Sequence, residues 1–312
     1  MNFEIITLNN SNFVINLEKI INKKVIKFDS DIFADSEICI KWQNLSFIKK
    51  QIFIIHQFSF ETKSINDQII ELLLLSDLAK KMGAEKVFVI LPYYPYSRHD
   101  KSFDKKLNGP VFLFDKLFKA CGIDEIITFE LHNSLVKNNF SVKTQEVNLI
   151  NFGVDFFNKN KNIVLDDFKT CFLSPDQGRA ESIKQIAQFA GVDFAYVKKE
   201  RIRKDFAVSR ELIGDVKNKN VIIIDDIIDT GNTAIGACEI AMNNGAKQVL
   251  GFFAHAVLSK DCIKKLNDSK FKHIFITDTV LTKDKLSLTD KVTQTTLANE
   301  LGDFFKKNYF NY

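Results

Sequence analysis

Asp225, Asp226 and Asp229 follow directly on the apolar run Val221-Ile222-Ile223-Ile224 and lead into Thr230-Gly231-Asn232-Thr233. A continuous run of β-branched residues suits a central parallel strand covered on both faces. In open α/β sheets, ligands bind at the carboxyl ends of such strands. Paired carboxylates there can accept hydrogen bonds from vicinal sugar hydroxyls, or they can face a metal-bound substrate. The small hydroxylated residues that follow open a helix. Their backbone N–H groups and hydroxyls meet a phosphate at the positive end of the helix dipole. As helix caps alone these residues are redundant, because one carboxylate satisfies a cap.

Other loops carry charge in patterns suited to polyphosphate. Pro92-Tyr93-Tyr94-Pro95-Tyr96-Ser97-Arg98-His99-Asp100-Lys101 follows the apolar run 87–91. Its prolines stiffen the chain, and its cations flank a carboxylate; on physics alone this is a phosphate loop or a solvated charged turn. In Val197-Lys198-Lys199-Glu200-Arg201, Lys199 and Arg201 are two apart and share one face of an extended chain. Together they can neutralise charge that builds on a transferring phosphoryl group, although the same pattern also makes a basic surface loop. Phe33, Asp35 and Glu37 set an aromatic among acids, read alone as an anchor beneath a solvated turn. Glu130-Leu131-His132-Asn133 and Ser174-Pro175-Asp176 each put polar groups straight after apolar residues. A lone histidine such as His132 is by itself ordinary structure.

The elements that must hold these loops follow from an alternation of apolar strands with amphipathic helices, which favours α/β layers. The order repeats. A strand over 52–55, a helix over 67–82, a stop at Gly83-Ala84 and a strand over 87–91 recur as 221–224, 233–243, Gly245-Ala246 and 249–254. Each glycine falls where a helix end takes a left-handed residue. Two similar lobes are expected, 1–147 and 148–312, with the joint in 147–162. The first lobe carries His56-Gln57-Phe58-Ser59-Phe60 where the second carries its carboxylates.

The chain of 312 residues, 46% hydrophobic and 26% charged, has room for two ordinary globular domains. Its net charge of +4 is spread along the whole length, which gives no footprint for nucleic acid. No apolar run approaches the roughly 20 residues of a membrane span, and the first residues lack the pattern of a secretory signal. The five scattered cysteines form no Cys-x-x-Cys pair and argue for reduced thiols in a cytoplasmic setting.

Segment 221–233 resembles the phosphoribosyl-binding loop shared by phosphoribosyltransferases and ribose-phosphate pyrophosphokinases. The other motifs resemble the pyrophosphokinases. The Pro92–Lys101 loop is similar to their ATP-contacting Pro-Tyr-x-x-Tyr-x-Arg-Gln-Asp-Lys/Arg, with His99 for Gln. Phe33-Ala34-Asp35-Ser36-Glu37 is similar to Phe-Ser-Asp-Gly-Glu, Glu130-Leu131-His132 to Asp-Leu-His, and Ser174-Pro175-Asp176 to Ser-Pro-Asp. Lys199-Glu200-Arg201 is similar to the Lys-x-Arg that begins a loop closing over the phosphates.

The resemblance implies two phosphoribosyltransferase-like lobes, each a mainly parallel sheet flanked by helices. It implies a ribose-phosphate diphosphokinase, which moves pyrophosphate from Mg²⁺-ATP to the C1 hydroxyl of ribose 5-phosphate, giving phosphoribosyl pyrophosphate and AMP. Carried over, catalysis falls to Lys199 and Arg201. ATP binding falls to Phe33, Asp35, Glu37, Arg98, His99 and Asp100, the first group acting across a subunit interface. Ribose 5-phosphate falls to Asp225, Asp226, Asp229, Thr230, Gly231, Asn232 and Thr233, and Mg²⁺ to His132 and Asp176. A homo-oligomer, a hexamer or its dimer building block, is implied as well. Glu130, Arg179, Asn232, Ala256 and Lys260 depart from the family pattern, the last four at usual glycine positions. The alternatives are a non-catalytic regulatory relative that associates with an active synthetase, and a phosphoribosyltransferase.

Overall fold

A computed structural model describes residues 2–61, 63–100, 109–149, 152–153, 169–201 and 208–309. The chain divides into two compact units. One comprises Met1–Val147, Asp278–Leu281 and Thr296–Tyr312, and the other Asn148–Thr277 and Thr282–Thr295.

In chain order, the first unit runs through β1 (Phe3–Thr7), α1 (Asn12–Ile21), β2 (Val25–Lys27), β3 (Ser30–Ile32), β4 (Ile38–Ile40), β5 (Gln51–Ile55) and β6 (Phe58–Ser59). It continues through α2 (Ile65–Lys81), β7 (Lys86–Leu91), α3 (Val111–Ala120), β8 (Glu125–Phe129) and β9 (Lys143–Val147). Its main sheet has the order β2-β1-β5-β7-β8-β9, with every pair parallel. β3 and β4 form a separate antiparallel hairpin.

The second unit begins with β10 (Thr170–Ser174), α4 (Ala180–Ala190), β11 (Asp193–Arg201), β12 (Val208–Ile213), β13 (Asn220–Ile228) and α5 (Asn232–Asn243). β14 (Gln248–Ala256), α6 (Cys262–Asp268), β15 (His273–Thr277), β16 (Val280–Leu281), α7 (Lys283–Leu286), β17 (Val292–Thr295) and α8 (Ala298–Asn308) complete the chain. The second sheet has the order β12-β11-β10-β13-β14-β15-β17, parallel except at the β11–β12 pair. With β12 set aside, the two sheets place their strands in the same chain-order sequence: second, first, third, fourth, fifth, sixth. The repeated strand–helix–strand pattern is thus part of a whole-sheet correspondence.

Local chemistry accounts for the elements. Ile52 to Ile55 and Val221 to Ile224 are buried throughout, as central strands covered on both faces must be. Ser64 opens α2 by accepting a hydrogen bond from the Asp67 N–H at 3.1 Å. Gly83 and Gly245 follow the ends of α2 and α5 with φ of +95° and +85°, the left-handed conformation that their positions suggest.

The last segments depart from the expected lobe 148–312. α8 packs on α1 and on one face of the first sheet. Phe305 lies 5.0 Å from Phe53 and 6.4 Å from Phe3, ring to ring. A Cβ on Gly302 would fall 2.4 Å from Ile20 Cγ2, so glycine alone permits this approach. β16 pairs in parallel with β6. The face of the first sheet needs an apolar cover, and the chain's last helix supplies it.

Among the described residues, no helix is long and apolar enough to cross a membrane. All five cysteines are free thiols, and burial pushes Cys171, Cys238 and Cys262 up to about 12.

Candidate active site

In the second unit, the chemistry gathers where β13 ends. Asp226 is buried and Asp225 half-buried, and the Asp226 N–H donates to Asp225 Oδ1 at 3.0 Å. Burial, reinforced by the Asp226 carboxylate, holds the Asp225 carboxyl well above the usual range, while the Arg179 guanidinium opposes the rise. The turn then reaches Gly231, whose φ of +78° places it just before α5. Gly231 has no side chain to satisfy the first-turn N–H groups, which leaves them for an anion. Asp229, Thr230 and Thr233 are half-buried around this turn and Asn232 is exposed.

Parallel pairing brings the neighbouring loop alongside. Leu173 in β10 is in register with Ile223 in β13, so Ser174-Pro175-Asp176 leaves the sheet beside Asp225. Asp176 Oδ1 accepts from the Gly178 N–H at 2.9 Å, and this turn delivers Arg179 to the start of α4. The departure at Arg179 therefore brings a cation to the carboxylates.

β11 pairs with β10 only as far as Tyr196, and its remaining residues run on as a ribbon with β12. Lys199 is in register with Arg210, and Arg201 with Val208. The side chains of Lys199 and Arg201, like residues 202–207, lie outside the described part of the structure.

In the first unit, the loops that end β7 and β8 lie side by side, since Leu91 is in register with Thr128. Tyrosines fix the first loop. Tyr94 is buried against Phe140 at 5.2 Å, while Tyr96 stacks on Phe114 at 4.2 Å and donates to Asn66 Oδ1 at 2.7 Å. Arg98 and His99 are left exposed, with the His99 ring edge-on to Tyr96 at 5.9 Å. Asp100 Oδ2 accepts from Asn133 Nδ2 at 2.8 Å, which ties this loop to the one that carries exposed His132. Glu130 adopts φ +39°, a backbone that the aspartate it replaces would adopt more readily.

Phe33, Asp35 and Glu37 are not in those loops. They stand exposed at the tip of the β3–β4 hairpin, where the Phe33 N–H donates to the Glu37 carbonyl at 2.8 Å. Phe33 is 56% exposed, so it is no buried anchor.

The first unit's counterpart of the phosphoribosyl loop is filled. Gln57 stands where the second unit has Asp226. Its side chain accepts from Ser11 Oγ and donates to the Asp278 carbonyl at 2.6 Å, and its N–H donates to Asn9 Oδ1 at 2.7 Å. His56, the counterpart of Asp225, is buried edge-on to Phe58.

Residues 4–122 match the N-terminal domain of ribose phosphate pyrophosphokinase, and residues 190–303 match the phosphoribosyl synthetase-associated domain. Over 255 residues the chain is 32% identical to the ribose-phosphate pyrophosphokinase of Campylobacter jejuni, which covers 81% of this chain and 79% of that one. The chain belongs to the ribose-phosphate pyrophosphokinase family. Ribose-phosphate pyrophosphokinase A of Dictyostelium discoideum is 30% identical over 252 residues, 79% of this chain and 76% of its own. The crystal structure of phosphoribosylpyrophosphate synthetase from Mycobacterium smegmatis superimposes with a TM-score of 0.87 at 25% identity, covering 98% of each chain.

As a ribose-phosphate pyrophosphokinase family member, the chain is an enzyme whose loops depart from the pattern at positions the fold makes legible. Lys260 takes φ +56°, which explains why glycine is usual there. Among the described residues, no three His, Cys, Asp or Glu side chains are grouped to hold a metal. Mg²⁺ still fits this chemistry, because it commonly takes one or two carboxylates and completes its shell with water and substrate phosphates. The contacts that sequence alone does not reveal are Asn133 to Asp100, Ser259 to Asp229 and Lys265 to Asn232. Each joins segments that follow different strands, and no local pattern marks it.

Proposed function

We propose that this enzyme is a ribose-phosphate diphosphokinase, forming phosphoribosyl pyrophosphate and AMP from ATP and ribose 5-phosphate. The observation that carries the reading is the asymmetry of the two units. The second keeps an open loop with Asp225, Asp226 and an uncapped helix start, whereas the first fills its counterpart with Gln57 and His56 and carries Arg98, His99 and Asp100 in the loop after the next strand. A phosphoribosyltransferase has no use for that second, polyphosphate-suited loop.

The N–H groups at the start of α5 hold the 5-phosphate, and the Thr230 and Thr233 hydroxyls complete the cradle. Asp225 and Asp226 accept hydrogen bonds from the vicinal ribose hydroxyls and so orient the sugar. The C1 hydroxyl oxygen attacks the β-phosphorus of ATP, and its proton passes to solvent. The bond from that phosphorus to the α-phosphate oxygen breaks, and AMP leaves. Lys199 and Arg201 neutralise the charge on the transferring group. Asp176 and His132 are the residues that the family resemblance assigns to Mg²⁺, which would supply charge neutralisation for the phosphates when bound. The exposed Phe33, Asp35 and Glu37 bind nucleotide as part of a homo-oligomer, in which a second copy covers the hairpin tip. Free thiols suit a reducing cytoplasm.

Lys199→Ala tests the assignment. Turnover is expected to fall by about 10³-fold, within the range for a lost charge-stabilising donor, with ribose 5-phosphate binding largely spared. Undiminished turnover would remove Lys199 from the mechanism.

A further inference from the structure

The segment after β14 walls the phosphoribosyl loop at three points. Ser259 Oγ donates to Asp229 Oδ1. A Cβ on Gly231 would lie 3.1 Å from Cys262 Sγ, so α6 rests directly on the turn. Lys265 Nζ donates to Asn232 Oδ1 at 3.1 Å.

The third contact has a direction. An ammonium can only donate, so it must face the amide oxygen of Asn232 and not the nitrogen. The Asn232 NH₂ is then the end that remains for a ligand, beside the N–H groups of the first turn of α5. Lys265 is itself held by Asp261 Oδ1 at 2.9 Å, four residues earlier on the same helix. A glycine at 232 would supply neither the side-chain donors nor the acceptor that places Lys265 at the loop. The substitution thus adds binding groups where a bare turn would have backbone alone.

We propose that Lys265 is a positioning residue for the 5-phosphate: by holding the Asn232 amide oxygen it turns the Asn232 NH₂ toward the phosphate, beside the first-turn N–H groups of α5. The inference rests on the reading of this loop as the ribose 5-phosphate site. Its chemistry is that of a dianionic phosphoester meeting one carboxamide and a helix N-terminus, with an ammonium behind the carboxamide.

The test is calorimetric titration of the full-length protein with ribose 5-phosphate and, separately, with ATP, comparing the unaltered chain with Lys265→Ala, Lys265→Arg and Asn232→Gly. Loss of a charge-assisted hydrogen bond predicts that Lys265→Ala raises the ribose 5-phosphate Kd about tenfold. Asn232→Gly raises it by a similar factor, Lys265→Arg retains most of the affinity, and ATP binding is unchanged in all three. The double variant is expected to be little worse than Lys265→Ala, because the two residues act as one unit. Lys265 is solvent-accessible enough that the melting temperature should hold, which separates binding from folding. Unchanged ribose 5-phosphate affinity in Lys265→Ala and Asn232→Gly would overturn this inference alone. Failure of the unaltered protein to bind ribose 5-phosphate would overturn the functional reading and the inference with it.

Discussion

Gly231 is the residue on which the phosphoribosyl loop turns. Its φ of +78° costs an L side chain about 1–2 kcal/mol, and a Cβ would press on Cys262 Sγ at 3.1 Å. Gly231→Ala is therefore expected to lower stability by about that amount and to weaken ribose 5-phosphate binding, read by urea unfolding and by titration. An alanine variant with both properties intact would mean that the turn does not need a left-handed residue. At this scale the carboxylates and the glycine are legible in the sequence, because they are contiguous and their chemistry is excessive for a cap. Ser259 and Lys265 are not, since their contacts exist only once β14 lies beside β13. Phe33 misleads in isolation, because an aromatic among acids reads as an anchor and the hairpin leaves it exposed.

At the scale of elements, the filled turn after β5 and the segment leading into β16 carry buried groups with opposite pH behaviour. Burial lowers His56 from 6.5 to about 4, with Glu71 opposing. The unfolded chain takes the proton first as pH falls, so the contribution of His56 is intact above about 6.5 and lost toward about 4. Burial raises Asp278 from 3.8 to about 6, although its carboxylate accepts from the Leu297 N–H. Here the folded chain holds the proton longer, so the contribution is intact below 3.8 and lost as pH rises through about 6. Each effect spans roughly 3 kcal/mol at 1.36 kcal/mol per pH unit, and the two nearly cancel. His56→Phe should therefore unmask a loss of stability as pH rises from about 4 to 6, and Asp278→Asn a gain over the same window. Denaturant unfolding across that window reads both, and parallel pH profiles for the variants and the unaltered protein would contradict the assignment. The degenerate character of this turn is legible in the sequence as missing carboxylates. That Gln57 reaches residue 278 is not, since the two are far apart along the chain.

At the scale of the whole chain, two sheets of matching strand order carry different loops, and the first of them is finished by the last helix. Phe305 is wholly buried between Phe3, Phe53 and Tyr309. Phe305→Ala should cost about 3–5 kcal/mol of stability in denaturant unfolding, as large core truncations do. A change under about 1 kcal/mol would show that α8 is dispensable to the first unit. The alternation of strands and helices makes the fold class and the duplication readable from sequence. The return of α8 is not readable, because an amphipathic C-terminal helix does not say which sheet it will cover. The central claim is that the open loop of the second unit holds ribose 5-phosphate for pyrophosphoryl transfer from ATP. Purified protein given ATP, ribose 5-phosphate and Mg²⁺, with AMP and phosphoribosyl pyrophosphate measured together, tests it most directly. The account predicts equal formation of both products; ADP in place of AMP, or neither product from a protein that binds both substrates, would contradict it.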